Sequence, residues 1–146
     1  MTKKIKAYFA HPWISRTKGA AKATEQYLKN RLENVEIVNP FDVGDLTKQW
    51  IKNPLNISIA KGIIRKDLSL LQECDIIISY FPNAAGDIPM TGGVGTPMEI
   101  FFMRHILNKP AYCLTPFKHP WLIALEVKTF EDIDKLIEAV KTEMQL

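Results

Sequence analysis

Cysteine and histidine are scarce in this chain. Two cysteines, Cys74 and Cys113, stand among 146 residues, far apart and without CxxC spacing. That excludes a disulfide framework, and both thiols read as reduced core residues. The three histidines fall at no ligand spacing from one another or from a cysteine, so no metal site is expected. Long apolar runs are missing too. Nothing approaches the length of a membrane span, and the lysines at 3–6 lead into a short strand-like run where a signal peptide would need an apolar core. Charge of one sign is also in short supply: the net charge of +3 is thinly spread. That argues against a nucleic-acid polymer as partner and leaves small acidic molecules open. The glycines form no GxGxxG, and no Lys-Ser or Lys-Thr follows them, which disfavours dinucleotide and nucleoside-triphosphate chemistry. The expectation is a cytosolic protein with no membrane segment and no cofactor.

What is present is enough for one ordinary domain over 1–146. Apolar residues make up 47% and charged ones 24%, so a real core is affordable and disorder is not expected. Strands are expected at 4–9, 35–38, 75–81 and 111–114, with a fifth at 125–128. Helices are expected at 17–32, 58–74, 97–107 and 131–143, and 41–54 reads as irregular. The run Asp75-Ile76-Ile77-Ile78-Ser79-Tyr80-Phe81 is nearly all apolar, as a strand covered on both faces requires. Strands alternating with helices predict a single-domain α/β fold. Its sheet is mostly parallel and five-stranded, flanked by helices, flavodoxin-like or Rossmann-like. Ligands bind such sheets beyond the carboxyl ends of the strands. Here those ends are 8–13, 39–41, 80–95 and 115–120, and the long loop 82–95 is the natural place for function.

Two acids stand out against apolar stripes. At about 100° per residue, Ala60, Ile63, Ile64, Leu70, Leu71 and Cys74 fall within roughly 60° of Asp67. Arg65 and Lys66 fall on the far side. In the helix at 97–107, Phe102, Met103 and Ile106 cluster about Glu99, while Arg104 and His105 point away. A lone buried carboxylate is costly and is normally protonated or paired. For Glu99 two readings stand side by side. Thr96-Pro97-Met98-Glu99 fits a capping box, with Glu99 reaching back to the amide of Thr96. The same position, at a helix start behind a glycine loop, suits an ionised nucleophile. For Asp67 the alternatives are a buried ion pair and a general acid whose pKa is raised by burial and a like charge. Paired carboxyls with separated pKa values mark glycosyl chemistry.

Three motifs then line up in order: Tyr8-Phe9-x-x-x-Trp13, Lys66-Asp67-Leu68 shortly before Asp75-Ile76-Ile77, and Gly93-Val94-Gly95-x-x-Met98-Glu99. Together they resemble the nucleoside 2-deoxyribosyltransferase family and its relatives that hydrolyse deoxynucleoside 5′-monophosphates. The resemblance implies Glu99 as the nucleophile that takes up deoxyribose, Asp67 as the acid that protonates the departing base, and Tyr8 as the residue orienting the nucleophile. It implies Trp13 as a wall of the base pocket, with Gly93 and Gly95 framing the loop. Transferases often carry an acid where Gly93 stands, and Asp87 is the candidate substitute. His11 is a candidate for sugar or phosphate contact, and Ser15 and Arg16 for a 5′-phosphate at a helix start. The partners expected are a nucleoside or nucleotide and a free base. A homo-oligomer, dimer or larger, is expected because Phe101-Phe102-Met103 makes one helix apolar nearly all round.

Overall fold

The structure is a computed structural model and describes residues 4–12, 19–82 and 95–146. Strand β1, Ile5–Ala10, is followed by helix α1, Ala20–Arg31, and strand β2, Val35–Val38. A single 3-10 turn, Pro40–Asp42, leads to a short helix α2, Leu46–Lys52, and a long helix α3, Ile57–Glu73. Strand β3 spans Ile76–Tyr80, and helix α4, Gly95–Phe101, runs directly into a wider π turn, Phe102–Ile106. Strand β4, Ala111–Leu114, helix α5, Pro120–Ala124, strand β5, Lys128–Phe130, and helix α6, Ile133–Glu143, complete the order. No helix among the described residues is long and apolar enough to cross a membrane.

All four strand pairings are parallel, in the order β2-β1-β3-β4-β5. This is the flavodoxin-like doubly wound order, and the chain reverses its direction of winding between β1 and β3. The register sets Tyr8 beside Val38 on one side and Ile77 on the other. The residue just before β3 is pinned twice to β1: Asp75 N–H donates to the Lys6 carbonyl at 2.8 Å, and Lys6 N–H donates to the Asp75 carboxylate at 2.9 Å.

Side chains alternate across a strand, so the sheet builds two cores. Ala7 and Phe9 of β1, Ile76 and Ile78 of β3 and Tyr112 of β4 meet Leu28 of α1 and Leu136 and Val140 of α6. Tyr8, Ala10, Ile77, Ala111 and Cys113 face the other way, against Leu71 of α3, Ile100 of α4 and Met103 of the π turn. Each fully buried Ile, Leu or Phe contributes roughly 1.5–3 kcal/mol by leaving water. Helices α3 and α4, which carry Asp67 and Glu99, therefore share one face of the sheet with Tyr8.

Three local expectations change. The segment 41–54 is not irregular throughout, because it holds the 3-10 turn and α2. The fifth strand lies at Lys128–Phe130, not at 125–128. The residues before it form the turn that closes α5, with Glu126 at a positive φ of 59°; that helix is opened by Pro120, and the His119 ring accepts from Trp121 N–H at 3.2 Å. Helix α3 begins as its Asn56 implies: that side chain accepts from Ile59 N–H at 3.1 Å. Its apolar stripe, however, is covered only toward its end. Leu71 and Cys74 are buried, whereas Ile64 is 57% exposed.

Candidate active site

Tyr8 is wholly buried at the middle of β1. Its hydroxyl donates to Glu99 Oε2, across a separation of 91 positions in the chain. Glu99 thus turns toward the sheet and does not reach back to the amide of Thr96. Helix α4 already includes Gly95, and the buried Thr96 Oγ1 has no hydrogen-bond partner. The capping box is therefore not formed. A methyl carbon added at Gly95 would stand 3.9 Å from Glu99 Oε1, an ordinary contact. One carboxylate oxygen is held by Tyr8, and the other faces the start of the helix.

The π turn alters the second half of this helix. Leu107 N–H donates to the Phe102 carbonyl at 3.0 Å, five residues back, which widens the turn. The 100° projection consequently fails beyond Phe101: Met103 is buried as expected, but Ile106 is 57% exposed.

Asp67 projects from α3 with its side chain 22% exposed, and Lys66 Nζ stands 3.3 Å from its Oδ1. The same ammonium donates to the Pro40 carbonyl at 2.6 Å. It is close enough to Asp67 for an ion pair but is not aligned as a hydrogen bond, and Oδ1 has no hydrogen-bond partner. Helical spacing assigned Lys66 to the far side of α3. The long flexible stem overrides that assignment, and the ammonium swings back over the helix.

The electrostatics follow from this placement. Loss of water pushes Glu99 up to about 8. The Tyr8 hydrogen bond opposes the rise, the charge of Asp67 adds to it, and Lys66 opposes it. Asp67 is also raised, by burial first, with Lys66 pulling down. Burial and the two acids push the Tyr8 hydroxyl far above its ordinary value, so it remains a donor. Tyr8, Asp67 and Glu99 are one coupled cluster, and its titration belongs to the set rather than to any single member.

His11 lies just past β1 and is 3% exposed. Its ring packs against Phe9 and Phe41, with centroids 5.1 and 4.8 Å away. Nδ1 stands 3.0 Å from the Pro12 carbonyl, which can only accept, so Nδ1 carries the proton. Nε2 then accepts from Asn39 Nδ2 at 3.3 Å, and Asn39 also donates to Glu25 Oε1 at 2.8 Å. Lys29 closes the chain on Glu25 at 2.9 Å. Both ring nitrogens of His11 are thus engaged within the protein, at the carboxyl end of β1. Trp13, Ser15, Arg16, Asp87 and Gly93 lie outside the described residues. Among the described residues, no group of three or more His, Cys, Asp or Glu is placed to hold a metal ion.

Two participants in this geometry escaped sequence reasoning. Lys66 was placed on the wrong side of its helix. The stretch 39–41 is named as a strand end, but spacing gives Asn39 no partner, and its bonds to His11 and Glu25 come only with the fold.

No family model matches the chain, and no curated protein matches it. Solved structures do. A 2-deoxyribosyltransferase from the psychrotolerant bacterium Bacillus psychrosaccharolyticus superposes with a TM-score of 0.64 at 20% identity, over 90% of each chain. A conserved protein from Enterococcus faecalis V583 gives 0.72 at 13% identity, over 96% of this chain and 99% of that one. The CMP N-glycosidase BcmB of Clostridium botulinum gives 0.56 at 16%, over 94% and 98%. At these identities the likeness establishes the shared fold.

Proposed function

We propose that this chain is an N-glycosyl-transferring enzyme: it cleaves the N-glycosidic bond of a 2′-deoxynucleoside and passes the sugar to another base. The observation that carries the reading is the Tyr8–Glu99 hydrogen bond, with Asp67 coupled to both on the same face of the sheet. The full-length likeness to a deoxyribosyltransferase and to a CMP N-glycosidase supports it.

In this reading Glu99 Oε1 attacks the anomeric carbon while the bond to the base nitrogen breaks. The electron pair of that bond leaves with the base, which takes its proton from Asp67. The sugar is then an ester of Glu99. An incoming base attacks the same carbon, gives a proton to Asp67 and frees the Glu99 carboxylate, so the configuration is retained. Burial favours the resting proton on Glu99, whereas the reaction needs that shared proton on Asp67 and the charge on Glu99. Tyr8 favours that arrangement by donating to Glu99. His11, with both nitrogens engaged, serves by bracing the end of β1. Gly95, next to Glu99 Oε1, and Trp13, Ser15, Arg16, Asp87 and Gly93 complete the proposed substrate contacts. The reading also includes self-association, because Met98, Phe101 and Ile106 are exposed on α4 and its π turn.

Incubation with deoxynucleosides and deoxynucleotides, each with and without a free acceptor base, tests the proposal. A new nucleoside identifies a transferase. Free sugar phosphate identifies hydrolysis of a 5′-monophosphate by the same pair of acids. A mass spectrum showing a sugar adduct on Glu99 fixes the intermediate. Near-wild-type turnover by Glu99→Ala sinks the assignment. Ligand that raises the melting temperature yet stays intact identifies a binding module without turnover.

A further inference from the structure

Lys66 is more heavily engaged than a surface lysine needs to be. Its side chain is only 14% exposed, its ammonium is fixed to the Pro40 carbonyl, and it stands 3.3 Å from Asp67 Oδ1. Pro40 lies just beyond β2, so this one side chain ties the carboxyl end of β2 to the middle of α3. We propose that Lys66 is a positioning residue of the site: hung from the Pro40 carbonyl, its ammonium holds the Asp67 carboxyl in place and counters its charge from 3.3 Å, with its shorter hydrogen bond kept for Pro40.

The geometry separates two jobs that one partner would usually combine. A lysine aligned on Asp67 would neutralise the carboxylate and also fill the lone pair that a proton has to reach. Here the short hydrogen bond goes to Pro40 at 2.6 Å, and the longer 3.3 Å approach to Asp67 acts on it first through charge. An oxygen that is buried, charge-balanced and unbonded is suited to giving and taking a proton. The proposal rests on the reading of Asp67 as the acid of a glycosyl transfer.

The groups around Asp67 that bear on its titration can be named. Glu99 comes from α4, Tyr8 from β1, and Lys66 from its own helix. The 3-10 turn supplies the Pro40 carbonyl, and its acid, Asp42, is solvent-exposed. Helix α2 contributes Lys48 and Lys52, both exposed. Lys66 pulls Asp67 and Glu99 down alike, so losing its charge moves both upward.

The experiment compares Lys66→Met, Lys66→Gln and Lys66→Arg with the wild type. Each is followed by carbon-13 NMR of the Asp67 carboxyl, by the pH profile of kcat/KM, and by thermal melting. Removing the charge should raise the Asp67 titration by on the order of one pH unit, the usual effect of one close opposite charge. The profile should move to higher pH by a similar amount. Turnover should fall about tenfold or more as the carboxyl loses its fixed orientation. Lys66→Arg should recover most of the wild-type titration. Lys66→Gln keeps a donor for Pro40, so it carries the same test should Lys66→Met melt below the assay temperature. An Asp67 titration that is the same in wild type, Met and Gln variants overturns the proposal. If the wild type cleaves no glycosidic bond, the reading of function fails, and the NMR titration still decides the role of Lys66.

Discussion

A carboxyl pushed up to about 8 by burial is a cost to the fold whenever it is charged. Below the ordinary glutamate value of 4.5, folded and unfolded chains both hold the Glu99 proton, and nothing is lost. Between 4.5 and about 8 the unfolded chain releases a proton that the folded chain keeps, so stability declines as pH rises. Above about 8 the loss is complete. Glu99→Gln removes the charge and should melt later than the wild type at pH 8 to 9, and level with it at pH 4. The same variant should lose transfer and hydrolysis. Catalysis carries its own pH signature. The proposed reaction uses the pair of acids with one proton between them, so kcat/KM should trace a bell with its alkaline limb near pH 8, where that proton leaves. Tyr8→Phe removes a donor that lowers Glu99, so the limb should move upward. Its kcat/KM should fall about tenfold to a hundredfold, the equivalent of one hydrogen bond to a charged group.

Helix α3 bears both Asp67 and Lys66 and is anchored at its start by Asn56. Asn56→Ala should cost about 1 kcal/mol, read as a lower denaturant midpoint at unchanged slope, with kcat preserved. The elements that sequence located well share a physical cause. Strands β1, β2, β3 and β4 are short apolar runs between turn residues, and α3 and α6 keep one period over many residues. What was missed is short or defined by contact. Helix α2 is a seven-residue piece without a buried residue of its own. The residues before β5 read as strand by composition, but they make the turn out of α5, where Glu126 takes a positive φ that spacing does not reveal. For the site, a fixed helical period brought Asp67 and Glu99 to the inward side, and that period holds only while the helix stays α. The π turn after Phe101 and the long reach of Lys66 follow from packing and rotamers, which no pattern of spacing records. The capping box fitted Thr96 and Glu99 by spacing, but the buried Tyr8 hydroxyl competes for the same carboxylate and holds it.

At the scale of the whole molecule, the winding order decides which helices can cooperate. With β1 set between β2 and β3, α3 and α4 cover the same face, while α1 and α6 cover the other. The exposed Met98, Phe101 and Ile106 mark where self-association is expected. Sedimentation velocity should return at least twice the mass of one chain, and Phe101→Glu should return the single chain. The bond between Tyr8 and Glu99 spans 91 positions and has a kinetic corollary. Loops of that length close late, after local helices have formed, and parallel pairing is slow for the same entropic reason. After dilution from denaturant, helical circular dichroism should recover first and enzymatic turnover last. Regained activity would then time the moment at which the two ends of this long loop finally meet.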